Sequence, residues 1–263
     1  MGVYAITGGS SGIGAKTREI LINEGNTVIN IDLAGGEIDA NLAKPEGRQH
    51  AIDELHRMCP DGLDGLYCNA GVAAACGDAA LILAVNYFGA ITLAKGCFDL
   101  LMKKHGSIVM TSSNTISHGG VRMDLVDLMT NNSDSEMEIL QIASTLDAKN
   151  LTVGHSVYIA SKYALARYVR RCAATAAAKG VRINAVAPGN VRTAMTANMS
   201  YSATQALNAL PIPTKYGHDA LMDPEEIAEV MVFLSSHRAR GINGNIIFVD
   251  GGTDALLNNE KVY

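Results

Sequence analysis

Val3-Tyr4-Ala5-Ile6-Thr7-Gly8-Gly9-Ser10-Ser11-Gly12-Ile13-Gly14 opens the chain, and its reading decides the fold. Residues 3–7 are short, apolar and β-branched, as a buried strand requires. Glycines at 8, 9, 12 and 14 follow at once, and an amphipathic stretch runs from Ile13 to Asn23. Strand, tight loop and helix are therefore contiguous. Gly25 and Asn26 stop the helix, Thr27 to Ile31 reads as a second buried strand, and Asp32 stands at its carboxyl end.

Outward from this βαβ unit the alternation repeats. A weak strand falls near Glu37 to Ala40, then a helix from Pro45 to Met58, a strand from Gly65 to Cys68, a long apolar helix from Leu81 to Met102 and a strand from Ser107 to Thr111. After an irregular segment come a helix from Val157 to Ala178, a strand from Arg182 to Val186, a helix from Pro224 to Leu234 and a strand from Asn245 to Val249. Seven strands joined by crossover helices predict one α/β domain over residues 1–263, a Rossmann-type doubly wound, seven-stranded parallel sheet with helices on both faces. Ligands of such sheets bind beyond the carboxyl ends of the strands, so the residues just after each strand matter most.

With 263 residues, 48% of them hydrophobic, the chain can bury a sizeable core, and no Pro/Gly/Ser-rich linker divides it. A net charge of −5 without a basic patch argues against a nucleic-acid partner. The five cysteines lack Cys-x-x-Cys spacing and are odd in number, which reads as reduced thiols. No basic n-region or cleavage site precedes Val3, and the most apolar stretch is broken at Asn86. A soluble, cytoplasmic protein without a membrane partner is expected. The seven histidines show no zinc spacing, so no metal is expected.

Gly8, Gly12 and Gly14 stand where a chain must turn sharply and pass close to a pyrophosphate, with the loop ending at a helix N-terminus that favours an anion. Taken alone, such a loop is simply a tight βα connection. Its place directly after the first strand, with an acidic residue 18 positions past Gly14, points to dinucleotide binding. A carboxylate at Asp32 can accept from both ribose hydroxyls and repels a 2′-phosphate, which favours NAD(H) over NADP(H).

Tyr158-Ile159-Ala160-Ser161-Lys162 places a phenol and an ammonium at i and i+4 on one helix face. A phenol with a pKa near 10 works as an acid–base catalyst at neutral pH only where positive charge stabilises its phenolate, and Lys162 and an oxidised nicotinamide can both supply it. In isolation the pair is an ordinary half-buried ring beside a solvated amine.

Together these residues resemble the short-chain dehydrogenase/reductase family over nearly the whole chain: Thr7-Gly8-x-x-x-Gly12-x-Gly14, Asn69-Ala70-Gly71, Asn86, Ser112-Ser113, Tyr158-x-x-x-Lys162, Pro188-Gly189 and Val249-Asp250-Gly251-Gly252. The resemblance implies Tyr158 as general acid or base and Lys162 as the residue that lowers its pKa and binds the nicotinamide ribose. It implies Ser113, with Ser112 as the alternative, holding the substrate oxygen, and Asn86 holding a water that links Lys162 to solvent. For the cofactor it implies Gly8, Ser10, Ser11, Gly12, Ile13 and Gly14 at the pyrophosphate, Asp32 and Leu33 at the ribose, and Asn41 and Leu42 at the adenine. Asn69, Ala70 and Gly71 then flank the adenosine side, and Pro188, Gly189, Val191 and Thr193 the nicotinamide.

Ser113 and Tyr158 lie 45 positions apart, far more than a short strand-to-helix loop needs. The insertion, about residues 114–156, carries an amphipathic stretch from Ser135 to Leu146 that predicts a helical excursion. This insertion, with Val85-Asn86-Tyr87-Phe88-Gly89-Ala90 and Asp250-Gly251-Gly252-Thr253-Asp254-Ala255, is similar to the bacterial 3α-hydroxysteroid dehydrogenase/carbonyl reductase group. The resemblance implies hydride transfer between NAD(H) and an apolar secondary alcohol or ketone, a 3-hydroxysteroid or bile-acid type favoured over aryl or other alicyclic ketones, with a silent NAD-binding sensor as the reading from another class. A homo-oligomer is expected, with a dimer favoured, built away from the surface the insertion covers or, if the insertion is a surface decoration, assembled as in ordinary family members. Residues 194–222, with Met195, Met199, Tyr201, Leu207, Leu210, Ile212 and Met222, read as a substrate lid or as ordinary helix packing. His155 reads as a loop histidine near Tyr158 and is not assigned to the chemistry.

Overall fold

The computed structural model describes residues 1–132, 134–197, 211–215 and 221–262. Seven parallel strands form one sheet in the order β3-β2-β1-β4-β5-β6-β7, comprising β1 (Val3–Thr7), β2 (Thr27–Asp32), β3 (Ile38–Asp39), β4 (Gly65–Cys68), β5 (Ser107–Thr111), β6 (Arg182–Pro188) and β7 (Ile246–Val249). The order reverses between β1 and β4, so a crevice opens past Thr7 and Cys68 where the connections leave in opposite directions.

Strand residues are apolar on both faces, and alternate positions enter two cores. Ala5, Ile29, Leu66, Ile108 and Ala185 belong to one; Ile6, Val28, Tyr67, Val109 and Val186 belong to the other. The second core is closed by α1 (Gly12–Asn23) and by the later helix Pro224–Ser235 through Leu21, Ile227 and Met231. The larger core lies under α2 (Pro45–Met58), α3 (Ala79–Leu83), α4 (Ala90–Gly96), α5 (Phe98–Lys104) and the helices of the insertion.

The long apolar helix read from Leu81 to Met102 is several pieces. A π-helical turn, Ala84–Gly89, separates α3 from α4, and Cys97 separates α4 from α5. Ala79–Gly96 is long and apolar enough to cross a membrane, with a mean hydropathy of 1.5, yet 67% of it is buried inside this fold.

The insertion folds into two helices, α6 (Met123–Asn131) and α7 (Glu136–Ser144); the sequence reading anticipated the second. The helix read as starting at Val157 begins earlier, as α8 (Leu151–Ala177), because Asn150 caps it by accepting from the Thr152 and Val153 N–H groups (3.0 and 3.4 Å). Helix α6 lies along α8: Arg167 bonds Asp127 (2.5 Å) and Arg171 donates to the Thr130 carbonyl (2.8 Å). The Tyr87 hydroxyl donates to the Met129 carbonyl (3.1 Å), which ties α6 to the π turn. The insertion thus covers one face of the long helix.

Helix α7 is tied to α2 by Arg48, which is 1% exposed and bonds both Glu136 oxygens at 2.6 and 2.7 Å through Nη2. Its Nε and Nη1 are buried without a partner, so nearly all compensation for burying this charge rests on one carboxylate. Glu136→Ala is expected to destabilise the protein by about 3 kcal/mol, whereas the apolar pair Arg48→Met with Glu136→Leu recovers most of the loss. Urea unfolding of the two variants checks this, and an unchanged midpoint for Glu136→Ala contradicts it.

Candidate active site

The glycine loop is shaped by close approach. A Cβ on Gly14 would lie 2.1 Å from the Gly8 carbonyl oxygen and 2.6 Å from Asn69 Nδ2, so only glycine lets α1 start against the end of β1. Gly12 has φ +54°, a left-handed conformation suited to glycine, and its position faces Thr193. Ser11 precedes the helix without capping it through its side chain, and the first turn carries no acidic residue, which leaves the N–H groups of α1 to meet an anion.

Behind the loop, polar groups lock β1, β2 and β4 together. Thr7 Oγ1 accepts from the Asn69 and Ala70 N–H groups (3.0 and 2.9 Å), and Asn69 Nδ2 donates to the Gly8 carbonyl (3.3 Å). Asn30, buried within β2, accepts from the Gly9 N–H (2.8 Å) and donates to Ser10 Oγ (2.9 Å). Asp32 receives the Ser10 and Leu33 N–H groups at 3.1 and 2.8 Å, so its carboxylate is fixed beside the loop. Thr7 heads the glycine motif but was given no role from the sequence, and Asn30 was not singled out; a polar residue inside Val28-Ile29-Asn30-Ile31 was the available signal.

A cavity of about 720 Å³ runs along the crevice. Of the residues singled out in the sequence, Gly8, Ser11, Gly12, Ile13, Asp32, Leu33, Asn41, Leu42, Asn69, Ala70 and Gly71 line it at one end and centre. Ser113, Tyr158, Lys162, Pro188, Gly189, Val191 and Thr193 line it towards the other. Ser10, Gly14 and Asn86 do not line it; Ser10 faces the outer side of the loop, and Gly14 packs beneath it. Asn41 Oδ1 accepts from the Ala43 N–H (3.0 Å), leaving Nδ2 and a second lone pair for the adenine edge.

At the reacting end, β5 delivers the serines and α8 the tyrosine and lysine. Ser112 is buried and donates to the Lys162 carbonyl (2.9 Å), so its hydroxyl serves the helix. Ser113 faces the cavity, accepts from Thr115 Oγ1 (3.0 Å) and hydrogen-bonds Tyr158. Lys162 is 4% exposed; its Nζ donates to the Thr111 carbonyl (2.8 Å) and lies 5.8 Å from the centre of the Tyr158 ring. Asn86 sits in the π turn, where its Oδ1 accepts from the Val72 N–H (2.8 Å) and its Nδ2 donates to the Val72 carbonyl (3.1 Å) and Ser161 Oγ (3.3 Å). The Asn86 side chain therefore positions Gly71 and Val72 beside Lys162.

Burial governs both titrations. It raises the Tyr158 pKa, with the Ser113 hydrogen bond opposing it, and it lowers Lys162 to about 8. In the protein alone burial therefore outweighs the Ser113 contribution at Tyr158, and the positive charge of an oxidised nicotinamide would act in the opposite direction. The free helix N-terminus, the close-packed glycine loop and the continuous cavity fit a nicotinamide dinucleotide.

Two sequence readings are corrected here. His155 is on α8, not in a loop, and its ring lies 6.4 Å from that of Tyr158 at an interplanar angle of 13°. In the segment 194–222, Ile212 and Met222 are 4% exposed and belong to the second core, so they do not face a substrate. Met199, Tyr201, Leu207 and Leu210 lie outside the described residues, as does the side chain of Met195. Val191 and Met222 pair across the base of this segment (Arg192 N to Met222 O, 2.8 Å; Met222 N to Asn190 O, 2.7 Å). The apolar wall, Val72 to Ala75 with Leu81 and Val85, was not anticipated.

A cavity that joins an anion-ready glycine loop to a serine, a tyrosine and a buried lysine defines a nicotinamide-dependent oxidoreductase site. Residues 2–125 match the short chain dehydrogenase family and residues 124–254 match the family described as Enoyl-(Acyl carrier protein) reductase. The chain belongs to the short-chain dehydrogenase/reductase family. It is 31% identical to the 3-alpha-hydroxysteroid dehydrogenase/carbonyl reductase of Comamonas testosteroni over 98% of both chains. The crystal structure of the 3-alpha-hydroxysteroid dehydrogenase from Pseudomonas sp. B-0831 complexed with NADH superposes with a TM-score of 0.88 at 33% identity, covering 99% of this chain and 100% of that one. An NAD(P)-dependent gluconate 5-dehydrogenase from Beutenbergia cavernae, described as putative and with bound NADP, gives 0.73 at 26% identity, covering 96% of each chain.

The Lys162 ammonium has a stability signature. Below about pH 8 it is charged in folded and unfolded chains alike, and the cost of burying it is fully present. Between about 8 and the ordinary value of 10.5 the unfolded chain keeps a proton that the folded chain has released, so stability rises with pH. Relative to Lys162→Met, the cofactor-free wild type is expected to gain roughly 1–2 kcal/mol between about pH 7.5 and 9.5, read by urea unfolding. Parallel curves for the two proteins contradict this.

Proposed function

We propose that this chain interconverts a secondary alcohol and a ketone with NAD(H), acting on a 3-hydroxysteroid or a related alicyclic compound. The observation that carries the reading is the convergence of Ser113, Tyr158 and Lys162 in the cavity that begins at the glycine loop. A silent dinucleotide-binding protein needs the loop, but not a phenol bonded to a serine with a buried ammonium beside it.

A nicotinamide held between the glycine loop and Lys162 would supply or accept the hydride. In reduction, the Ser113 hydroxyl holds the substrate oxygen and the Tyr158 phenol gives it a proton as negative charge develops there. In oxidation, the Tyr158 phenolate takes the hydroxyl proton. Lys162 favours that phenolate through its charge, and its tie to the Thr111 carbonyl fixes where the charge sits. Val72 to Ala75, Leu81 and Val85 make an apolar wall that excludes water and suits a hydrocarbon ring system. The activity for which the Comamonas relative is named supports the steroid class, and the NADH in the Pseudomonas structure supports the cofactor.

Tyr158→Phe is expected to lower kcat for ketone reduction by about a hundredfold to ten-thousandfold while NADH still binds, as followed by its fluorescence. Turnover within a few-fold of wild type contradicts the assignment. The cofactor preference rests on Asp32, whose carboxylate is held at the end of β2 where a 2′-phosphate would meet it. The wild type is expected to favour NADH over NADPH in kcat/KM, and Asp32→Ser to narrow that preference on the order of a hundredfold. A wild type that prefers NADPH refutes this.

A further inference from the structure

We propose that His155 is a specificity-determining residue of this site, exchanging a hydrogen bond with a second oxygen function, a hydroxyl or a carbonyl, carried by an alicyclic substrate close to its reacting carbon. The inference rests on the alcohol–ketone reading above. His155 stands one turn before Tyr158 on α8, so both rings emerge from the same face of the helix. The rings lie nearly parallel with centres 6.4 Å apart, and His155 is exposed towards the cavity it lines.

Its place on that wall gives it this role. Apart from Asp32 at the ribose end and the Tyr158 and Lys162 pair, His155 is the ionisable side chain among the described lining residues. The same cavity has an apolar wall, Val72, the alanines 73–75, Leu81 and Val85, none of which offers a side-chain hydrogen bond. Among the described residues, the His155 ring nitrogens have no hydrogen-bond partner. A purely hydrocarbon substrate would leave this ring without one, whereas a second oxygen placed within about a ring's breadth of the reacting carbonyl would supply it.

The connection after β5, whose Asn114 and Thr115 line the same cavity, carries a second imidazole. His118, which follows the turn Asn114–Ser117, has a buried Nε2 without a partner, and a charge on His155 disfavours its protonation. The Asp250 and Asp254 charges favour that protonation, but burial outweighs them. Partial burial in the cavity wall likewise lowers His155 from its ordinary value, so at neutral pH its imidazole presents one donor, one acceptor and no charge. That chemistry suits a hydroxyl or a carbonyl and offers no ion pair to a carboxylate.

The test compares 4-hydroxycyclohexanone with cyclohexanone, using NADH and the whole chain, in wild type, His155→Phe and His155→Gln. Wild type is expected to favour the hydroxylated ketone in kcat/KM by about tenfold, mainly through KM, the size of one net hydrogen bond. Phenylalanine keeps a ring beside Tyr158 but no hydrogen bond, and is expected to bring the ratio close to one; glutamine, with a donor and an acceptor, is expected to restore most of it. A wild-type ratio near one, or an unchanged ratio in His155→Phe, overturns the proposal while leaving the alcohol–ketone reading intact. Failure of the wild type to reduce either ketone, with NADH bound, overturns both.

Discussion

The missing side chain at Gly14 is the constraint on which the rest of the structure depends. With a Cβ there only 2.1 Å from the Gly8 carbonyl, α1 could not start where it does. Its free N–H groups would then be displaced from the switch point between β1 and β4. The same contact brings Asn69 against Gly8, and through Thr7 Oγ1 it holds the loop after β4 to the end of β1. One steric permission therefore places the anion-binding helix, the adenosine wall and the floor of the cavity together.

From that floor the reacting end is built by burial. Lys162 is taken almost wholly out of water and compensated by one carbonyl, Thr111, on the neighbouring strand. An ammonium held this way is costly, which is why its proton is held less tightly than an ordinary lysine's, and the cost accompanies a charge that cannot drift away from Tyr158. Asn86 contributes at one remove. The π turn rotates it towards Val72 and Ser161, linking the helix on one side of the cavity to α8 on the other.

Much of this was legible because it is local or periodic. The strands Ser107–Thr111 and Gly65–Cys68 were readable from apolar runs, and helix Pro45–Met58 from its proline start and amphipathic pattern. The glycine spacing located the cofactor end of the cavity. What escaped was set by tertiary contacts. The break at Ala84–Gly89 has no proline or local signal; it follows from the bonds of Asn86 and Tyr87 to distant backbone. The tie between Arg48 and Glu136 spans 88 positions, beyond any local pattern. Ile212 and Met222 were readable as a lid or as ordinary packing because hydropathy gives no direction, and they pack into the second core.

The insertion before Tyr158 lengthens more than a loop. Its helices α6 and α7 pack against α8, π turn and α2, and Asn150 caps a helix that starts at Leu151, two turns before Tyr158. Those two turns carry His155 into the cavity wall at a fixed register with Tyr158, since residues three apart on a helix share a face. Had the chain passed from β5 into α8 by a short loop, the helix could have begun near Tyr158, leaving the preceding residue positions to loop geometry. The segment that departs most from a short strand-to-helix connection thus also sets His155, an imidazole in a cavity whose wall includes Val72 to Ala75, Leu81 and Val85. Catalytic group and recognition group become parts of a single rigid element.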